Sequence, residues 1–222
     1  MQQSEENSMV QELENAREYE KNIVYFVIKR IIDIMGVLCG ILLLSPVMIV
    51  VGIWIKLDSA GPVFFIQERV GQDGTRFMMY KFRSMCLDAE YLLKKLKDKN
   101  EMLGPMFKIK DDPRVTKVGR FIRKTSIDEL PQLFNILKGE MSLVGPRPSL
   151  PKEVEQFTSF QKQRLVAKPG LTCYWQVRGR SDVSFQEWME MDVQYIEERN
   201  TWIDIILIFK TVRVLFGDDG AR

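Results

Sequence analysis

Asp128 and Glu129 stand side by side in GRFIRKTSIDELPQL, residues 119–133, just after Arg120, Arg123 and Lys124 and just before a helical pattern that opens near Pro131. The start of a helix carries partial positive charge and free N–H groups, which attract phosphate and keep a nearby carboxylate ionised. An ionised aspartate in such a place can attack phosphorus. The same residues also satisfy the rules for a helix cap: Ser126 with Glu129 fits a capping box, Asp128 alone is a good cap, and Pro131 is tolerated in the first turn. Taken by itself, the fragment reads as a cap.

A second element is SLVGPRPSLP, residues 142–151, where Arg147 sits between Pro146 and Pro148. Prolines stiffen the backbone that presents the guanidinium, and a preorganised Arg binds phosphate at a lower ordering cost. Lys81 and Arg83 at the end of a strand pattern, and Arg178 and Arg180 in YWQVRGRSD, add cations that can meet a diphosphate. Each is equally well a surface charge. Asp111-Asp112 precedes Pro113, which favours a plain Asx turn over a metal-binding pair. The chain has no histidine, so Ser-His-Asp and Cys-His machinery and His-ligated metals are excluded. Carboxylates, Lys, Arg, Tyr and water remain, a set suited to an anionic substrate with Mg²⁺. No Walker A loop and no Gly-x-Gly-x-x-Gly occurs, so an ATP kinase or Rossmann enzyme has no support.

The elements that must carry these groups are dominated by Ile34–Ile55, an unbroken apolar run of 22 residues with Ser45-Pro46 at its middle. A run of this length can cross the roughly 30 Å hydrocarbon core of a bilayer as a straight helix. Pro46, however, lacks an N–H, and its ring collides with the Leu42 carbonyl, so a break is expected there. Basic residues flank the run on both sides and choose no orientation. Both ends on the cytoplasmic face satisfy that symmetry, which favours a re-entrant helical hairpin; a Pro-kinked transmembrane span is the other reading. Asp33 stands at the membrane edge, with Lys29 or Arg30 as its nearest candidate partners.

The chain as a whole carries 32 basic and 30 acidic residues, a balance that argues against a nucleic-acid partner. Cys39, Cys86 and Cys173 form neither a disulfide framework nor a zinc pattern. Residues 63–70 and 75–82 read as a β-hairpin joined by Gly71-Gln72-Asp73-Gly74. Helical patterns follow at Leu87–Asn100, Glu129–Lys138, Pro151–Val166, Phe185–Glu198 and 201–216. The last has an apolar face that fits either the core or the membrane interface.

Together, KRIIDIMG, LLLSP, GPVFFIQERVGQDG, YKFRSM, DPRVTKVGRFIRKTSIDELPQLFNILKGEMSLVGPRP and KPGLTCYWQVRGR closely resemble the bacterial sugar transferase family, the monotopic phosphoglycosyl transferases, over roughly residues 25 to 216. Several long motifs in one order make the resemblance specific. It implies transfer of a sugar phosphate from a UDP-sugar to undecaprenyl phosphate with release of UMP and assistance by Mg²⁺, on the cytoplasmic face of the bacterial inner membrane. It further implies that Asp128 is the nucleophile of a covalent acyl-phosphate intermediate and that Glu129, with Asp128, helps to hold Mg²⁺. Lys81, Arg123, Arg147 and Asp192 match positions that would bind phosphate or substrate, Arg83 and Arg180 are candidates for the same role by their charge, and Ser45 and Pro46 would break the membrane helix.

The expected fold class is α+β, a helix-rich membrane-associated domain with a re-entrant membrane helix hairpin and a small β-hairpin. It divides into a polar segment 1–20, a membrane segment 21–57 and a catalytic domain 58–222 with interfacial helices. Larger family members carry further N-terminal parts, so this sequence fits either a short form or the catalytic end of a longer protein. Residues 87–112 exceed the smallest members and are expected to bear on specificity or on assembly as a homo-oligomer. The competing reading is a membrane-anchored scaffold in which Asp128-Glu129 only caps a helix. The transferred sugar is not encoded in any motif, because specificity rests on a few pocket contacts.

Overall fold

The structure, a computed structural model, describes residues 23–96, 109, 112–178 and 183–217. The polar segment 1–20, most of the 97–111 stretch and Arg180 lie outside the described residues. Helix α1, Ile23–Asp58, holds the apolar run. By length and composition it could cross a membrane, with a mean hydropathy of 2.7 in its most apolar window, of which only 11% is buried against protein.

Helical backbone continues through Ser45-Pro46, so the two separate arms expected from the sequence do not appear as a helix break. Proline removes the amide that would have bonded to the Leu42 carbonyl, and the Ser45 hydroxyl donates to that carbonyl instead, at 3.3 Å. Both halves of α1 pack on the same body. Val37 joins Phe77, Met79, Leu133 and Ile136 in one core cluster, whereas Val51 and Ile55 join Phe82, Val118 and Ile122 in another. Between them Leu42 and Leu43 are exposed, at 77% and 74%.

Strands β1, Phe64–Val70, and β2, Arg76–Phe82, form the expected antiparallel hairpin, with Phe64 opposite Phe82 and Val70 opposite Arg76. The turn residues Asp73 and Gly74 have φ of 52° and 78°, the left-handed region that the Asp-Gly pair tolerates. Helix α2, Ala89–Leu96, is followed after the undescribed stretch by α3, Lys117–Lys124, which is capped by the Thr116 side chain. Gly119 lets α3 approach the end of β2 closely, since a Cβ there would overlap the Ser84 carbonyl. A 3-10 turn, Ile127–Glu129, then leads into α4, Gln132–Lys138, which ends on Gly139 at φ 83°.

Strand β3, Ser142–Val144, pairs in parallel with β4, Gly170–Thr172. Between them the single helix expected over residues 151–166 is instead three short pieces: α5, Pro151–Val154, α6, Ser159–Lys162, and a 3-10 turn, Gln163–Val166. Thr158 restarts the chain with a capping box to Gln161, a local bond that competes with helix continuation. Helices α7, Tyr174–Arg178, α8, Phe185–Glu198, and α9, Thr201–Gly217, complete the fold, the last two at the expected places. Helix α9 buries Asp204 and Leu207 in the body, as the core reading expected, and leaves Trp202, Phe209 and Val212 exposed.

Asp33 feels the charge of Lys29, as expected, but its hydrogen-bond partners are distant in sequence. Its carboxylate accepts from the Ser142 hydroxyl at 3.0 Å and the Leu143 N–H at 2.8 Å, and so ties α1 to β3. Lys29 pairs with Asp204 at 2.7 Å and donates to the Val144 carbonyl at 2.8 Å. Arg30 donates to the Ile136 and Leu137 carbonyls at the end of α4. Each contact satisfies a buried polar group that would cost about 1–3 kcal/mol if left alone.

Candidate active site

The 3-10 turn that carries Asp128 and Glu129 lies between α3 and α4, beside β2. Ser126, at φ 55°, reverses the chain into that turn and makes no side-chain cap there, so the capping-box reading fails. Glu129 is free to bond elsewhere. Its Oε1 accepts from Lys81 Nζ at 2.7 Å and from Arg147 Nη1 at 3.0 Å, residues 48 and 18 positions away. The fold thus brings Lys81, Asp128, Glu129 and Arg147 into one cluster.

Asn135 makes that convergence possible. Fully buried on α4, it accepts from the Tyr80 N–H at 3.0 Å and donates to the Met78 carbonyl at 2.8 Å and to Glu140 at 2.7 Å. The edge of β2 is thereby fixed against α4, and Lys81, next to Tyr80, is held at the turn. Asn135 lies within the motif that carries Asp128 and Glu129, yet nothing there singles it out, because a polar residue inside a helical pattern carries no signal of a strand 55 positions away.

The two adjacent carboxylates experience different fields. Burial pushes Glu129 up, but the charges of Lys81 and Arg147 and their hydrogen bonds outweigh it and hold the group well below the ordinary glutamate range. Asp128 is 9% exposed and accepts no hydrogen bond among the described residues. Burial pushes it up to about 6 against the pull of Lys81, the Glu129 charge adds to the rise, and Arg123 and Arg147 oppose it. Burial lowers Lys81, although Glu129 keeps it charged in a tight pair. One carboxylate is locked as an anion, and its neighbour is a base of raised pKa.

The remaining sequence-derived residues divide. Arg123, on the exposed face of α3, acts on Asp128 by charge. Arg83 is engaged away from the Glu129 cluster among the described residues. It is 5% exposed and donates to the Ala60 and Ser59 carbonyls and the Ser59 hydroxyl, closing the C-terminal end of α1. A guanidinium near a helix C-terminus satisfies orphan carbonyls, which the β-strand pattern around Arg83 could not reveal. Asp192 is 0% exposed and paired with Arg164 at 2.6 Å, so it does not reach the cluster. Asp112 forms the expected Asx turn, accepting from the Arg114 N–H at 3.0 Å, and is absent from the site. Ser45 and Pro46 lie on α1, far along the chain from the cluster. Two arginines that the sequence did not single out, Arg69 and Arg164, back the turn that carries Arg147.

Among the described residues no group of three or more carboxylate, thiol or imidazole side chains gathers as a metal site. Asp128 and the second oxygen of Glu129, which accepts no described hydrogen bond, form a two-carboxylate donor set. Mg²⁺ commonly takes one or two carboxylates and completes its shell with substrate phosphates and water.

A partly buried aspartate beside a clamped glutamate, on a turn packed against β2 and ringed by cations, is an arrangement suited to an anionic substrate. Residues 24–218 match the sequence pattern of the bacterial sugar transferase family, and the chain belongs to that family. Among its relatives is a galactosyl transferase, CpsE, of Streptococcus agalactiae, 49% identical over 89% of this chain and 44% of the relative. An undecaprenyl-phosphate galactose phosphotransferase of Salmonella typhimurium is 44% identical over 87% of this chain and 41% of the relative. The exopolysaccharide production protein ExoY of Rhizobium meliloti is 38% identical over 87% of both chains. The chain therefore spans less than half the length of the first two and nearly all of the third.

Proposed function

We propose that the protein transfers a sugar 1-phosphate from a UDP-sugar to undecaprenyl phosphate, giving undecaprenyl-diphosphate-sugar and UMP. The supporting observation is the Asp128-Glu129 pair, in which Lys81 and Arg147 lock Glu129 as an anion while the Asp128 carboxylate accepts no hydrogen bond among the described residues. Asp128 attacks the sugar-bearing phosphorus, the bond from phosphorus to the UMP oxygen breaks, and an acyl phosphate forms. A phosphate oxygen of the lipid then attacks the same phosphorus and frees the aspartate. An acyl phosphate preserves the reactivity of the diphosphate between the two in-line steps.

Lys81, Arg123 and Arg147 supply charge for the diphosphate oxygens, and Arg147 suits bidentate phosphate recognition. Glu129 and Asp128 would hold Mg²⁺, which when bound neutralises developing phosphate charge. Because the nucleophile must be ionised, turnover is expected to fall on the acid side with a midpoint near the Asp128 value of about 6. Arg147→Ala removes a charge that favours the anion and should shift that limb to higher pH. A pH-rate profile with an acid limb at the ordinary aspartate value of 3.8 in both proteins would contradict this assignment.

Helix α1 would enter the cytoplasmic leaflet and return by a bend at Pro46 within its continuous helical backbone, with both ends on the cytoplasmic side. Residues 33 and 55 are both buried against the same charged body, about 33 Å apart along a straight helix. A full crossing would drag charged groups such as Asp33 and Arg83 across the hydrocarbon, at a cost of several kcal/mol each. Arg30→Cys and Lys56→Cys, made singly, should both resist an impermeant thiol reagent added outside intact cells. Labelling of either one would restore the spanning helix.

The function itself is tested by incubating the purified protein in nanodiscs with a panel of UDP-sugars, without lipid acceptor, and weighing it intact. A gain of one sugar phosphate is expected with the right donor, and undecaprenyl phosphate should discharge it. UMP release only when the lipid is present would favour direct transfer, whereas neither signal with any donor favours the scaffold reading.

A further inference from the structure

The turn carrying Arg147 is held at four successive carbonyls. Pro146 O accepts from the Gly170 N–H at 2.9 Å, Arg147 O from Arg164 Nη2 at 2.7 Å, Pro148 O from Arg69 Nη1 at 3.1 Å, and Ser149 O from the Val70 N–H at 2.9 Å. Two of the four donors are therefore arginine side chains. Arg164 is 2% exposed, donates also to the Ser149 hydroxyl at 2.5 Å, and pairs with Asp192 at 2.6 Å.

Aromatic rings continue this support to the Arg147 side chain itself. The Arg164 guanidinium lies 5.6 Å from the Trp188 ring, Trp188 stacks on Trp175 at 4.4 Å, and the Arg147 guanidinium lies 5.8 Å from Trp175. Backbone and side chain of Arg147 are thus both anchored on the Arg164–Asp192–Trp188 group, which is inaccessible to substrate. A buried ion pair often contributes no more stability than apolar residues of the same volume. What this pair offers beyond itself is two hydrogen bonds to the 147–149 segment, one to a carbonyl and one to a hydroxyl.

We infer that Arg164, oriented by Asp192, is a positioning residue that acts through Arg147, holding the Pro146–Ser149 turn so that the Arg147 guanidinium meets Glu129 and the donor diphosphate. This gives Asp192 a place in the reaction without phosphate contact, and it rests on the functional reading of Arg147 given above. Arg69 grips the neighbouring carbonyl from β1, and burial together with the Arg147 charge lowers it to about 10. The turn is therefore gripped from two sides, and the Arg69 charge opposes that of Arg147.

A double-mutant cycle in the nanodisc-held chain tests this. One arm is Arg164→Met with Asp192→Asn, which strands no buried charge; the other is Arg147→Ala. Arg147→Ala should lower kcat on the order of 10²-fold, and the Arg164/Asp192 change on the order of 10-fold. Together they should be no worse in kcat than Arg147→Ala alone, although the loss in Tm from the pair is the same in both backgrounds. Losses in kcat that multiply would overturn the inference.

A second readout needs no activity. In the Arg164→Met, Asp192→Asn protein, the Val70 and Gly170 amides that bond to the turn should exchange at least about 10-fold faster, whereas those of α8 keep their protection. Unchanged exchange at Val70 and Gly170, or equal acceleration in α8, overturns the positioning role. If the wild-type protein releases no UMP, the functional reading fails, and the exchange data still decide whether Arg164 holds the turn.

Discussion

Asp128→Asn is expected to abolish turnover and raise the melting temperature in the same protein. Loss of a covalent nucleophile costs on the order of 10⁴-fold or more in kcat, with no sugar-phosphate adduct by mass. The stability gain follows from the field around the carboxylate. Asp128 is 9% exposed and its folded-state value is raised from 3.8 to about 6, so the anion is less favourable in the folded protein than in the unfolded chain. A raised carboxylate contributes its stability below the unfolded value and loses it as pH rises through the folded one. At neutral pH the wild-type protein bears that loss, which Asn avoids, so a gain of about 1–3 kcal/mol is expected. Such opposition of stability and activity is common where a site holds a group away from its preferred state. Thermal melts and intact mass together check it. An adduct that persists in Asp128→Asn would move the nucleophile elsewhere, and a lowered melting temperature would show that the carboxylate has a stabilising partner.

Glu129→Gln should lose activity and also stability. One Oε1 atom bridges Lys81 and Arg147, so neutralising it leaves two largely buried cations facing each other. Breaking a buried pair by removing one partner typically costs about 3–5 kcal/mol, and loss of the oriented charge should reduce kcat by about 10²–10³-fold. Here the linkage has the opposite sign from Asp128. The folded value of Glu129 is depressed, so its contribution is present above the ordinary value of 4.5 and is lost as pH falls below it. The gap in melting temperature between wild-type and Glu129→Gln should therefore be wide at neutral pH and close on acidification. Adding Lys81→Met should restore part of the stability, because one stranded cation is removed, and none of the activity. A pH-independent gap would mean that Glu129 acts through shape and not through charge.

These opposite expectations arise from neighbours in sequence that share a turn but not their partners. Nothing in SIDELP distinguishes Asp128 from Glu129 electrostatically. The difference comes from Lys81 at the end of β2 and Arg147 on a proline-bracketed turn, both of which point at one oxygen of Glu129. The same logic explains why the scaffold reading fits the site poorly: a cap requires local bonds to backbone N–H groups, and the Ser126 side chain makes none at the start of this turn.

What the sequence determined by itself was local. Alternating apolar residues around Gln72-Asp73-Gly74 specified the β-hairpin within a residue at each end, and a helical pattern specified Phe185–Glu198. The motif series identified the family and the Asp128-Glu129 pair, and Asp112 was legible as a turn. Periodicity also overran itself, as at 151–166, where Thr158 and its capping box interrupted a helix that composition allowed. Only tertiary structure assigned partners to the charges. Of the cations read as phosphate binders, it placed Lys81 and Arg147 on Glu129 and sent Arg83 to the carbonyls that end α1. It also buried Asp192 behind Arg164 and bonded Asp33 to β3. Turn chemistry and hydrophobic period act over a few residues and are written in consecutive positions. The choice of a charge's partner is made across 18, 48 or 110 positions by the packing of elements that bury both, and no short stretch of sequence contains it.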